Sequence, residues 1–120
     1  MTTEFLQAVP VLPSQNIERD VEWYCHNLGF TKVFGDEMYA GIRLNEIWIH
    51  LQWHADTPED PLLGGSVVRI FVKNIQPYFE ALVAKGVVPS DKLRWNTPWG
   101  THEFGLYDLN QNAIFFVEDL

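Results

Sequence analysis

The side chains able to make or break bonds are few in this chain, and their spacing is unhelpful to catalysis. Histidines stand at 26, 50, 54 and 102, with a single cysteine at 25. No two of the histidines form a zinc pair on one helix, and one thiol builds neither an intrachain disulfide nor a thiolate cluster. Cys25 sits between Tyr24 and His26 inside a helical pattern, with nothing nearby to depress its pKa, so it reads as a packed thiol. No nucleophile has an evident base, and there is no glycine-rich phosphate loop or aromatic-basic nucleic-acid stripe. What the chain has in quantity is rings: five tryptophans, four tyrosines and eight phenylalanines. Trp95 and Trp99 share the loop Arg94-Trp95-Asn96-Thr97-Pro98-Trp99-Gly100. An indole in a loop must cover a ligand, another subunit or the loop's own core.

The elements that must hold these rings repeat. Asn16-Ile17 opens a helical pattern ending at Leu28-Gly29-Phe30, and Asn74-Ile75 opens another ending at Lys85-Gly86-Val87. Phe34-Gly35, Tyr39, Leu44-Asn45 and Ile49 are echoed, at a constant offset, by Trp99-Gly100, Phe104, Leu109-Asn110 and Ile114. In the first helix Asn16 is the expected cap, Ile17, Val21, Tyr24 and Leu28 form the apolar stripe, and Gly29 is the stop. In the second, Asn74 is the expected cap and Ile75, Phe79, Leu82 and Val83 are the stripe, with Pro77 tolerated in the first turn. Strands are expected over Phe5–Leu12, Thr31–Phe34, Met38–Leu44, Ile47–Trp53, Val67–Val72, near Leu93, and over Glu103–Asp108 and Ala113–Val117. Because Pro10 cannot donate to a ladder, the first strand should lie at an edge, bend, or cross to another subunit.

The pattern predicts an α+β fold. Residues 1–120 form one domain of two βαβββ modules, 1–53 and 66–120, joined by a linker over 54–65. Their curved mixed sheets close a concave cavity. At 120 residues and 47% apolar, the chain can bury a substantial core. Sixteen acidic against eight basic side chains give a formal charge of -8, which disfavours nucleic acid and anionic membranes and favours a cationic ligand. No apolar run reaches the roughly 20 residues of a membrane span, and the start Met-Thr-Thr-Glu is unlike a signal peptide, so a cytoplasmic address is expected.

Strand alternation puts Trp48, His50 and Gln52 on one face, with Ile47, Ile49 and Leu51 turned to the helices, and groups Val67, Arg69 and Phe71 likewise. Phe34, Tyr39, Trp48, Phe71, Trp99 and Phe115 would then line the cavity. Such walls suit flat heteroaromatic or cationic ligands, through contacts worth about 0.5–2 kcal/mol each.

In order and spacing, several segments together resemble the vicinal oxygen chelate superfamily of glyoxalases, extradiol dioxygenases and bleomycin-resistance proteins, most of all the last. They are Ala8-Val9-Pro10-Val11-Leu12, Leu28-Gly29-Phe30, Phe34-Gly35-Asp36, Tyr39-Ala40-Gly41, Ile47-Trp48-Ile49-His50, Pro98-Trp99-Gly100, Glu103-Phe104 and Asp108-Leu109-Asn110-Gln111-Asn112. The resemblance places Gln7, His50, Val67 and Phe115 at the four metal positions of the superfamily's enzymes. Val67 and Phe115 cannot coordinate, so no metal and no cofactor are expected. It also implies a homodimer that exchanges its first strand around Pro10 and binds a drug between subunits without catalysis. Phe34, Tyr39, Gln52 and Trp99 fall where that family lines its drug cleft. Arg69 stands where drug-binding relatives can carry a tryptophan, and it either receives an acidic group or pairs with a neighbour such as Glu103. The expected function is sequestration of a bleomycin-like aromatic, cationic antibiotic at Phe34, Tyr39, Trp48, His50, Gln52, Arg69, Trp99 and Phe115. The alternative is a metal-dependent glyoxalase- or dioxygenase-type enzyme.

Overall fold

The computed structural model describes residues 1–62 and 66–120; the last part of the expected 54–65 linker lies outside the described residues. Strand β1 (Val11–Ser14) leads into helix α1 (Ile17–Trp23), which closes in a wider π turn over Tyr24–Leu28. Asn16 caps it as expected, its side-chain oxygen accepting from the Arg19 N–H at 3.0 Å. Gly29, at φ +87°, takes the left-handed stop that a side chain would resist. Strands β2 (Thr31–Gly35), β3 (Tyr39–Leu44) and β4 (Ile47–Trp53) follow as an antiparallel meander. β1 adds in parallel beside β4, giving the order β1-β4-β3-β2. The second module has β5 (Val67–Phe71), helix α2 (Ile75–Ala84), β6 (Thr101–Tyr107) and β7 (Ala113–Asp119), in the sheet order β5-β7-β6.

The alternation of each strand sends one set of side chains to the helices. Ile42, Ile49 and Leu51 meet Tyr24 and Leu28 there, while Phe104, Ile114 and Phe116 meet Phe79 and Leu82, all in one buried cluster. Phe104 packs edge-on to Phe79 at 5.0 Å and stacks on Phe116 at 5.3 Å.

A buried polar seam joins the two modules. The Tyr24 hydroxyl donates to Asp108 at 2.6 Å, Asn110 donates to Asp20 at 2.7 Å, and Asn112 donates to the Pro13 carbonyl at 3.1 Å. Burial first, then the neighbouring Asp108 charge, pushes the Tyr24 pKa far up, so its hydroxyl is a permanent donor. The Asp108-to-Asn112 segment that echoes the first module is therefore a clasp between modules.

Four expectations need correcting. Residues 1–10 lie outside any strand and, but for half-buried Val9, exposed, so only the last part of the expected Phe5–Leu12 strand forms. Pro10 accepts one bond from the His50 N–H but has none to donate, and the arm before it finds no sheet edge in its own chain. Asn74 does not cap α2: it sits at φ +58°, and the Glu118 carboxylate accepts from the Asn74 and Ile75 N–H groups instead. Those two bonds hold the Glu118 carboxyl below its ordinary pKa. The strand expected near Leu93 shrinks to a single antiparallel bridge between Arg94 and Glu103. Ile47, unlike Ile49 and Leu51, remains part-exposed at the start of β4. No helix among the described residues is long and apolar enough to cross a membrane.

Candidate ligand-binding site

The concave face of the first sheet is a continuous aromatic wall. Register places Tyr39 opposite Gln52, Gly41 opposite His50 and Arg43 opposite Trp48, with Phe34 paired to Gly41 on the other side. Gly41 makes the wall possible, because a methyl group there would overlap the Phe34 ring that lies across it. Phe34 thus sits centrally, 5.3 Å from His50, 6.4 Å from Trp48 and 6.5 Å from Tyr39 between ring centres, and nearly parallel to the tyrosine. The Tyr39 hydroxyl and His50 Nδ1 share a hydrogen bond of 2.8 Å. The Arg43 guanidinium lies 5.6 Å over Trp48, and Gln52 projects into solvent at the edge of the wall.

The second sheet repeats the device. Phe115 lies across Gly105, where a methyl group would again overlap the ring, and Arg69 faces Phe115 from β5. The Arg69 guanidinium sits 5.7 Å over Phe115 and donates to Glu103 at 3.0 Å. Glu103 is only 3% exposed. Its second oxygen accepts from the Trp99 indole N–H and from the Thr101 hydroxyl at 2.9 Å. Burial alone would raise this carboxyl's pKa, but the bonds from Trp99, Thr101 and Arg69, with the Arg69 charge, outweigh it and hold the pKa below the ordinary glutamate value. Arg94 lies 5.0 Å over the Trp99 ring. Beside these groups opens a cavity of about 550 Å³ lined by Asp91, Lys92, Arg94, Glu103, Tyr107 and Phe115.

The two loop tryptophans part company. Trp99 joins the concave wall while 55% exposed. Trp95 turns away from it and meets His102 edge-on at 4.4 Å. The loop between them is pinned by the hydroxyl pair Thr97–Thr101 at 2.7 Å.

Of the residues singled out from sequence, Phe34, Tyr39, Trp48, His50 and Gln52 come together on the first wall, and Arg69, Trp99 and Phe115 on the second. Phe71 belongs to the second wall too, with Arg69 6.0 Å over its ring. No hydrogen bond or ring contact joins one set to the other among the described residues. The sequence reading missed Gly41 and Gly105, whose signal is a glycine inside a strand, and missed Glu103 as the group that orients Trp99. The four positions that hold a metal in superfamily enzymes do not suit one here: Gln7 is on the exposed arm, His50 Nδ1 is engaged by Tyr39, and Val67 and Phe115 offer no donor. Among the described residues, no three His, Cys, Asp or Glu side chains cluster in a metal-binding arrangement.

Two βαβββ-like modules with open concave sheets define the class of fold, and the same arrangement recurs in solved structures. A bleomycin resistance determinant encoded on transposon Tn5 superposes with a TM-score of 0.79 at 18% identity, covering 96% of this chain and 98% of that one. A bleomycin-binding protein from the bleomycin-producing Streptomyces verticillus, solved with copper(II)-bleomycin, superposes with a TM-score of 0.73 at 27% identity, covering 96% and 97%. By sequence, a bleomycin resistance protein of Geobacillus stearothermophilus is 28% identical over 130 residues, spanning 96% of this chain and 98% of its own. No family model matches the chain. In sequence and in fold the chain is thus similar to bleomycin resistance proteins, and its fold is that of the glyoxalase/bleomycin resistance/dioxygenase superfamily.

Proposed function

We propose that this protein sequesters a bleomycin-like aromatic antibiotic in the cytoplasm, without metal or bond-making chemistry, in clefts between the two copies of a homodimer. The first wall of one copy (Phe34, Tyr39, Trp48, His50, Gln52) faces the second wall of the other (Arg69, Trp99, Phe115), so that a flat ring system is held between them. The observation that carries this reading is the open aromatic wall around Phe34, laid flat over Gly41 and left in solvent. Rings so arranged stack a planar guest at about 0.5–1.5 kcal/mol per ring pair. Similarity to a protein solved with copper(II)-bleomycin supports the choice of guest. The dimer is supported by the arm, in which Phe5 and Leu6 are 93% and 83% exposed. It is also supported by a radius of gyration of 15.5 Å, against about 13.6 Å for a compact domain of this length.

The test is a tryptophan-fluorescence titration of the metal-stripped protein with metal-free bleomycin, repeated with excess nickel or zinc, alongside sedimentation of the free protein. Saturable quenching near one ligand per chain, unmoved by metal alone, is expected from a dimer. Stoichiometric metal uptake with no response to the drug would return the chain to the enzyme class.

A further inference from the structure

The chain as a whole is strongly acidic, yet its two concave walls are not. On the first wall the strand faces present Val11, Phe34, Tyr39, Arg43, Trp48, His50 and Gln52, which include one fixed cation and, among the described residues, no carboxylate. On the second, Lys92 and Arg94 line the cavity with Asp91 and Glu103, Arg69 reaches Glu103 beside it, and Asp119 ends the same strand face. Cations and anions there balance, in a chain whose formal charge is -8.

The two arginines of the second wall are also held in place. Arg94 and Glu103 are directly opposed in their antiparallel bridge, so their side chains leave on the same face. Arg69 reaches Glu103 from the other side, through one guanidinium nitrogen. The two guanidinium groups thus rise on the face of the buried Glu103 carboxylate, each resting on a ring: Arg69 on Phe115 and Arg94 on Trp99. Glu103 neutralises one of these charges. Arg94 has no carboxylate within 4.0 Å among the described residues, and Arg69, whose side chain is 40% exposed, keeps donors free. Guanidinium groups fixed on aromatic faces with donors unused, one of them lining a cavity, suit a planar oxyanion.

We infer that the second wall is a subsite for an acidic group, so that the ligand is a flat aromatic molecule carrying a carboxylate or sulfonate directed at Arg94 and Arg69. This deepens the sequestration reading and rests on it for the aromatic part of the ligand. It differs from the expectation drawn from net charge, because the acidic excess lies away from the walls that make contact.

Two measurements decide it. Calorimetric titration compares bleomycin, whose tail is cationic, with bleomycinic acid, which keeps the bithiazole rings but ends in a carboxylate. The acid should bind about tenfold more tightly, as one charge-assisted bond gained and one like-charge contact avoided would give, and the preference should vanish in Arg94→Gln. Equal or tighter binding of bleomycin overturns the acidic subsite while leaving sequestration intact. If neither compound binds, the sequestration of a bleomycin-like drug fails, and the subsite is decided without any ligand. The Trp99 contribution to collisional quenching, taken as the difference between wild type and Trp99→Phe, is measured with iodide and with caesium. Iodide should be the better quencher at Trp99, by about twofold relative to the other tryptophans, and should lose that advantage in Arg94→Gln. Better quenching by caesium at Trp99 overturns the subsite.

Discussion

Replacing Trp99 with alanine separates a ring that binds from a ring that merely plugs. The side chain is 55% exposed, so its removal forfeits the buried half of the ring, about 1.5 kcal/mol. It loses one hydrogen bond to Glu103, which keeps Thr101 and Arg69 and is not stranded. That loss is worth about 1 kcal/mol, and the exposed Arg94 contact adds about 0.5 kcal/mol. The expected destabilisation of about 3 kcal/mol lowers Tm by about 10 °C in a chain of this size. For a stacked guest the loss is comparable: one ring pair at about 1 kcal/mol, plus some 60 Å² of apolar contact at about 25 cal/mol per Å². Together these weaken binding by about 2.5 kcal/mol, or roughly 60-fold. Thermal melts and calorimetry with metal-free bleomycin read the two effects on the same protein. A Tm loss above about 15 °C with affinity changed less than about threefold would refute the reasoning, and would make Trp99 a structural plug.

Gly41→Val should lift Phe34 off its strand, costing about 1–3 kcal/mol in a urea melt and weakening drug binding about tenfold by calorimetry, with Phe34→Ala restoring much of the stability in the double variant. Asp108→Ala removes the acceptor for Tyr24, for the Asn112 side chain and for the Asn110 and Asn112 N–H groups, all buried. It should cost about 3 kcal/mol or more in the same urea melt and loosen the seam between modules. The Glu103 carboxyl has a folded-state pKa below its ordinary value, so its contribution to stability is complete above about pH 4.3 and fades as pH falls through the folded value. The stability gap between wild type and Glu103→Gln, followed by urea midpoint from pH 6 to 3, should therefore close towards the acid end.

The repeat was legible because it is written in residues that local physics constrains. Asn16 and Gly29 bound a helix whatever surrounds it, and the alternation Ile47-Trp48-Ile49-His50-Leu51-Gln52 assigns its own faces. Asn74 misled because a better acceptor, Glu118, arrives from a strand more than forty residues away, and no local pattern announces it. The strand near Leu93 misled because Pro89, Pro98 and the Trp95–Trp99 loop leave it one bridge and no ladder. At the site, ring identities and their faces were readable by alternation. The glycines beneath Phe34 and Phe115 were not, since their meaning depends on which strand lies alongside.

The same distinction explains why the net charge pointed one way and the walls another. A sum over sixteen acidic and eight basic residues describes the field far from the molecule. A ligand in contact responds to the few charges within a Debye length and to the direction of their donors. Alternation had already placed Arg69 on a face that carries rings. Only the fold shows that Arg94 joins it, through a single bridge to Glu103, and that Glu103 is consumed in holding Arg69 and Trp99. The charge at the walls is thus set by side chains from segments far apart in sequence, and it does not carry the acidic excess of the chain.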